Sequence, residues 1–179
     1  MERRIARVNI SSAGGTASSD SKTCKITLPT TWVEALGITE KRRELKLTFD
    51  GTQIMMSRIL SGSEFAEQQL AQGHEVRALR LYDRNALCST IYADFTAQTV
   101  IVENQAVPTI KTAFGNNLLP NWEDFQRFLE ERCIPRQRAG LREYLETLGL
   151  DEYDPLAIIE KTGGRMAEDQ QWLTIEVLK

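Results

Sequence analysis

K-T-C-K-I-T-L-P-T-T-W-V-E-A-L-G-I, running from Lys22 to Ile38, changes its period at the proline. Before it, Cys24, Ile26 and Leu28 alternate with polar residues, which predicts a half-buried strand. Pro29 ends that strand, because proline has no N–H to give to a ladder. After it, Thr30 or Thr31 is placed to cap a short helix, with Glu34 three residues beyond Thr31 as its capping-box partner. The helix covers Trp32 to Leu36, and Gly37 stops it.

Upstream, R-I-A-R-V-N-I-S (Arg4 to Ser11) supplies β-forming residues and predicts a first short strand. The small, polar, glycine-bearing residues 12–20 read as a loop between the two strands. Downstream, E-L-K-L-T-F (Glu44 to Phe49) alternates Leu45, Leu47 and Phe49. Asp50-Gly51 reads as a type I′ hairpin turn, and Gln53 to Ile59 returns as a fourth strand. The first sixty residues therefore read β–loop–β–short helix–β–turn–β. So few residues in that order bury little core alone, so pairing with a second copy is expected.

Leu60 to His74, with Ser61-Gly62-Ser63 and its glutamines, reads as a hinge plus a short helical piece. The expected division is a module over 1–60, a linker over 61–75 and a second domain over 76–179. The second domain opens with strands at Val76 to Tyr82, Ala86 to Tyr92 and Thr99 to Val102. From Trp122 the period becomes helical: Trp122, Phe125, Phe128 and Leu129 share a face, and Asn121 is the cap. Leu141, Tyr144, Leu145 and Leu148 line a second helix closed by Gly149. Asp154-Pro155 opens a third, closed by Gly163-Gly164, and Trp172, Leu173, Ile175 and Val177 predict a terminal strand. The fold class is α+β.

Net charge is −3 over 179 residues, but it is unevenly placed. Residues 1–60 carry ten Lys/Arg against six Asp/Glu, and the rest carries twelve against nineteen. A small basic module followed by a larger acidic one implies different partners for the two. No run of 18 apolar residues is present, so no membrane span or membrane partner is expected. The three cysteines form no close pair, and the cytoplasm is the expected compartment. A single histidine, His74, argues against a His-rich metal site and a Ser-His-Asp enzyme. Neither a P-loop nor a G-x-G-x-x-G fingerprint occurs. Gly163-Gly164-Arg165 reads as a helix cap rather than an anion site. Asp151, Glu152 and Asp154 read as an acidic helix start rather than a cation site. His74 reads as exposed. Cys24 and Cys88 read as small core residues on strands. Cys133, between Arg132 and Arg136, has neighbours that could lower a thiol pKa, though no histidine stands near to complete a nucleophile. No catalytic residue, metal site or cofactor is assigned, and no enzymatic activity is expected.

The basic residues carry more. Arg3, Arg4, Arg7, Lys22 and Lys25 flank or occupy the first two strands, and Lys41, Arg42 and Arg43 form a second group. Phosphate contact favours Lys/Arg, hydroxyls and free backbone N–H groups together, and a two-stranded ribbon fits a major groove.

Residues 5–58 resemble the AbrB/MazE/SpoVT swapped-hairpin family. The run Lys25 to Ile38 is similar to that family's basic–apolar–x–apolar–Pro strand followed by a short helix ending L-G-I. E-L-K-L-T-F-D-G-T-Q-I-M-M is similar to its second hairpin. The resemblance implies an interleaved homodimer that binds double-stranded DNA, as transition-state regulators and antitoxins do. It places Lys25 at the family's DNA-facing basic position and Arg7 at the basic end of the first strand. The chain departs from the pattern in a longer loop after Ser12 and in Val33-Glu34, where such regulators often carry an arginine pair.

Residues 98–176 resemble the N-terminal portion of HipA-like proteins, through F-L-E-E-R-C-I-P-R-Q-R-A-G-L-R-E-Y-L-E-T-L-G-L at Phe128 to Leu150 and D-Q-Q-W-L-T-I at Asp169 to Ile175. In that family this portion precedes a kinase module; no kinase residue is carried over, and none is expected among these residues. The expected protein is a cytoplasmic homodimer of antitoxin or autorepressor type, with Arg4, Arg7, Lys22 and Lys25 on double-stranded DNA. The acidic domain is left for a protein partner such as a toxin or a nuclease. The alternative is a mobile-element inhibitor, for example an anti-CRISPR protein that binds a CRISPR-associated nuclease.

Overall fold

The structure, a computed structural model, describes residues 2–12 and 21–179. Most of the loop expected over 12–20 lies outside the described residues. The chain divides into two compact units, Met1–Ile59 and Leu60–Lys179.

The first unit contains two antiparallel hairpins and a short helix. β1 (Val8–Ser12) pairs with β2 (Lys22–Ile26), and β3 (Leu45–Phe49) pairs with β4 (Ile54–Arg58). Between the hairpins, α1 (Thr30–Ala35) has Pro29 at its N-cap and no side-chain cap, so the expected Thr31–Glu34 capping box does not form. Pro29 supplies the cap through its carbonyl, which accepts from the N–H groups of Trp32 and Val33. The helix ends as expected at Gly37, which adopts φ +67°. There Gly37 N–H reaches Glu34 O and Ile38 N–H reaches Val33 O, the paired bonds of a Schellman end. The second turn also differs from the expectation. Four residues, 50–53, join β3 to β4, and the Asp50 carboxylate accepts from Thr52 N–H, Thr52 Oγ1–H and Gln53 N–H. That side-chain turn replaces the two-residue type I′ geometry. The donated hydrogen bonds hold the Asp50 pKa well below its ordinary value.

None of the described residues of this first unit is buried. Ile10 is 63% exposed, Phe49 70% and Ile54 68%. Burying one such side chain stabilises by about 1.5–3 kcal/mol, and a single copy of this unit forgoes that gain repeatedly.

The second unit is α+β and has the core the first lacks. β5 (Val76–Asp83), β6 (Ala86–Asp94), β7 (Thr99–Asn104) and β8 (Gln171–Val177) form one antiparallel sheet in the order β7-β6-β5-β8. Leu79, Leu81, Ile91, Ala93, Val100 and Leu173 face three helices, α3 (Trp122–Glu131), α4 (Leu141–Leu148) and α5 (Pro155–Thr162). Phe125, Phe128, Leu129, Leu145, Ile158 and Ile159 complete that core. Of the apolar residues read on the helix faces and the terminal strand, Trp122 and Leu141 pack at its edge. Trp172 lies outside it, stacked on Tyr82 at 4.5 Å with its indole N–H on Arg84 O. Asn121 caps α3 in a capping box with Asp124, Asp154 caps α5, and Gly149 and Gly163 close α4 and α5.

The segment read as a linker is a helix of this unit. α2 (Gly62–Ala71) starts at Ser61 in a capping box with Glu64 and buries Phe65 and Ala66. It lies on the sheet face opposite the other helices, where Gly62 N–H donates to Glu103 at 2.6 Å and the Tyr92 ring closes against the Gly62 backbone.

Candidate nucleic-acid interface

The β1–β2 register gives the first hairpin two chemically different faces. Val8 lies opposite Ile26 and Ile10 opposite Cys24, so these four share one side. Asn9 opposite Lys25 and Ser11 opposite Thr23 make up the other. That second side carries an amide, two hydroxyls and an ammonium, the groups that bind phosphate oxygens and base edges. Asn9, Ser11 and Thr23 were not singled out from the sequence. Their signal was the same alternation that marked Cys24 and Ile26, read on the odd-numbered positions.

Arg4 and Arg7 precede β1, and both line a cavity of about 750 Å³ together with Asn9, Thr27 and Thr30. The floor of that cavity is apolar, built from Ile26, Leu28, Pro29, Trp32 and Met56. Lys25 sits one residue from the Val8–Ile26 pair, so Arg4, Arg7 and Lys25 gather at one end of the hairpin. Lys22 does not join them. It pairs with Ser12 at the far end, four residues along the strand or about 13 Å, and its parity puts it on the Cys24–Ile26 side.

Most cations of the second unit are held differently from those of this hairpin. Among the described residues the side chains of Arg3, Arg4, Arg7, Lys22 and Lys25 make no hydrogen bond or ion pair. In the second unit Arg77, Arg80, Lys111, Arg127, Arg136 and Arg142 each rest against a carboxylate. A cation already held by an acid is a poor phosphate ligand; an unpaired one is available. Of the second basic group in the first unit, Arg42 donates to Ile59 O at 2.6 Å and Arg43 to Glu40 O at 2.7 Å.

Compared with protein-family models, with curated proteins and with solved structures, the chain matches none. Its functional reading therefore stands on the residues themselves.

Two groups of the second unit differ from their sequence readings. His74 is only partly exposed, and its Nδ1 lies 2.7 Å from the fully buried Asp94 carboxylate. Burial pushes the Asp94 pKa up. Hydrogen bonds from Ala97 N–H, His74 and Thr96 N–H outweigh that and hold it below its ordinary value. The pair ties α2 and β5 to the β6–β7 turn, which sequence spacing could not show. Cys133 is buried, and burial pushes its thiol up to about 12, so the flanking arginines do not activate it. Arg132 turns away from it and donates to Gly164 O, Gln171 O and both oxygens of Asp169. Arg136 pairs with Glu130 and lies over the Tyr153 ring. Gly163-Gly164 serves as a cap and as an acceptor for Arg132, and Asp154 accepts from Leu156 N–H. Among the described residues no three His, Cys, Asp or Glu side chains are grouped to hold a metal ion. No described helix is long and apolar enough to cross a membrane.

Proposed function

We propose that this chain is a DNA-binding regulator of antitoxin or autorepressor type, acting as a homodimer through its first unit. One observation supports this most directly. The β1–β2 hairpin carries Lys25 and hydrogen-bonding groups on one face and an uncovered apolar row on the other, with Arg4 and Arg7 at its end. Two copies that cover each other's apolar rows leave the polar faces outward, each a two-stranded ribbon of the width a major groove admits. Arg4, Arg7 and Lys25 then sit at the end of each ribbon to meet phosphates; Lys22, on the covered side at the far end, does not join them. The second unit, whose acidic residues outnumber its basic ones, is the part suited to a protein partner.

The test is a titration of the full chain into a labelled duplex at several salt concentrations. A dimer contacting four to eight phosphates gives a log–log slope of about −4 to −7, because each contact releases condensed counterion. Lys25→Ala weakens binding to every duplex alike and flattens the slope by about one unit per contact removed. If no duplex is bound at low salt, the first unit is a scaffold for protein contacts. The inhibitor alternative, a protein that binds a nuclease, then takes its place.

A further inference from the structure

Residues 2–7, E-R-R-I-A-R, run into β1 as exposed chain with neither helix nor strand. Three of the six are arginine and none is lysine, whereas both cations on β2 are lysines. Arg3, Arg4 and Arg7 have no acceptor among the described residues. The far end of the segment is nonetheless held, because the Trp32 indole N–H donates to the Glu2 carboxylate at 2.6 Å. With Arg4 and Arg7 on the rim of the cavity beside Asn9, the segment is anchored at the end of the hairpin that carries Lys25.

We infer that this segment reads the DNA minor groove, with Arg3 and Arg4 in the groove and Arg7 on the intervening sugar-phosphate strand. The inference rests on the DNA-binding reading above and adds a source of sequence preference to it. A ribbon in the major groove has a phosphate strand along each flank and a minor groove beyond it. Four residues separate Arg4 from Val8, a reach of about 13 Å when extended, which spans one such strand. The residue type fits the destination. A guanidinium is more weakly hydrated than an ammonium and enters a narrow groove at lower desolvation cost. Narrow A·T-rich minor grooves concentrate the negative potential that draws arginine in. Lysine on β2, a strongly hydrated point charge, suits phosphates exposed to water.

The test uses three duplexes of equal length whose central steps are A·T, G·C or inosine·cytosine. Inosine lacks the 2-amino group of guanine, so its pair offers the minor-groove surface of A·T with the major-groove surface of G·C. The full chain binds the A·T and inosine duplexes alike, about tenfold tighter than the G·C duplex. Replacing Arg3→Ala and Arg4→Ala together removes that preference, and Lys25→Ala lowers all three affinities while keeping it. Both arginines are exposed, so circular dichroism of the double variant matches the parent. An inosine duplex that binds like G·C, or a double variant that keeps the preference, overturns the minor-groove assignment while leaving DNA binding intact. Failure of all three duplexes at low salt overturns the DNA-binding reading itself.

Discussion

Arg132 is the side chain most consequential for the second unit. It is 7% exposed, and its guanidinium joins the end of α3 to the Gly163-Gly164 turn and the start of β8. Removing it takes this donor from two backbone carbonyls and leaves Asp169 with the Gln171 N–H alone. Arg132→Met is expected to lower unfolding free energy by about 2–3 kcal/mol, below the range for fully buried pairs, because Asp169 keeps partial access to water. Urea denaturation measures it. Asp169 and Asp94 both have folded pKa values held below 3.8, the first chiefly by Arg132 and the second by hydrogen bonds that outweigh its burial. A depressed carboxylate stabilises fully above its unfolded pKa and loses that contribution as pH falls through the folded value. Stability should therefore hold between about pH 5 and 7 and drop below about pH 4, with a shallower drop in Asp94→Asn. The neighbouring Cys133 predicts an inert thiol. At pH 8 a thiol reagent leaves Cys133 and Cys88 unlabelled in the native chain, and labels both once denaturant is added.

At the scale of elements, Gly62 is the position where local propensity and tertiary packing disagree. Alanine is the better helix former, yet a Cβ at Gly62 would lie 1.9 Å from the Tyr92 ring. Overpacking of this kind costs about 1–3 kcal/mol, so Gly62→Ala is expected to lower the melting temperature rather than raise it. The same residue shows why a segment expected to hold only a short helical piece carries a full helix packed on the sheet. Ser61-Gly62-Ser63 has the composition of a linker, and the glycine is required by an aromatic ring thirty residues later in the chain. The signal for that helix start is the capping-box spacing of Ser61 and Glu64. Where local signals agreed, the reading held: Asn121, Asp154, Gly149 and Gly163 mark their helix ends as expected. Asp50-Gly51 located a turn, but its type depended on side-chain hydrogen bonds to Thr52 and Gln53. For the candidate interface, alternation located the strands. The separation of Lys22 from Lys25 needed only that same parity, applied to the charged residues. Limited proteolysis provides the element-level check: early cuts should fall near residues 59–61 and spare Gly62–Ala71. Rapid cutting within that helix would show that it is not held on the sheet.

At the scale of the molecule, the two units differ in what they do with apolar surface. The second closes a core around Phe125, Leu79 and Ile91. The first leaves Val8, Ile10, Ile26, Leu47, Phe49 and Ile54 exposed on the faces of its two hairpins. Exposed apolar rows of this kind mark an interaction surface. Its lining is shared by both hairpins through Ile26 and Met56 in the same cavity, so one occupant can cover both. A second copy is the occupant proposed here, and Cys24 reports on it. Cys24 is exposed in a single chain and lies on the side of Ile10 and Ile26. If two copies bury those sides, its thiol is protected in the dimer and freed on dissociation. Labelling of the full chain should therefore be slow at tens of micromolar and accelerate on dilution, following the monomer fraction seen by sedimentation. Phe49→Asp should shift that midpoint upward by at least tenfold, since a charge in the interface costs more than the lost side chain. It should weaken duplex binding in parallel, because paired hairpins present two basic ends and single ones present one. A chain that sediments as a monomer at these concentrations, with Cys24 fully reactive throughout, would assign the apolar faces to a different protein. Duplex binding would then have to survive Phe49→Asp unchanged.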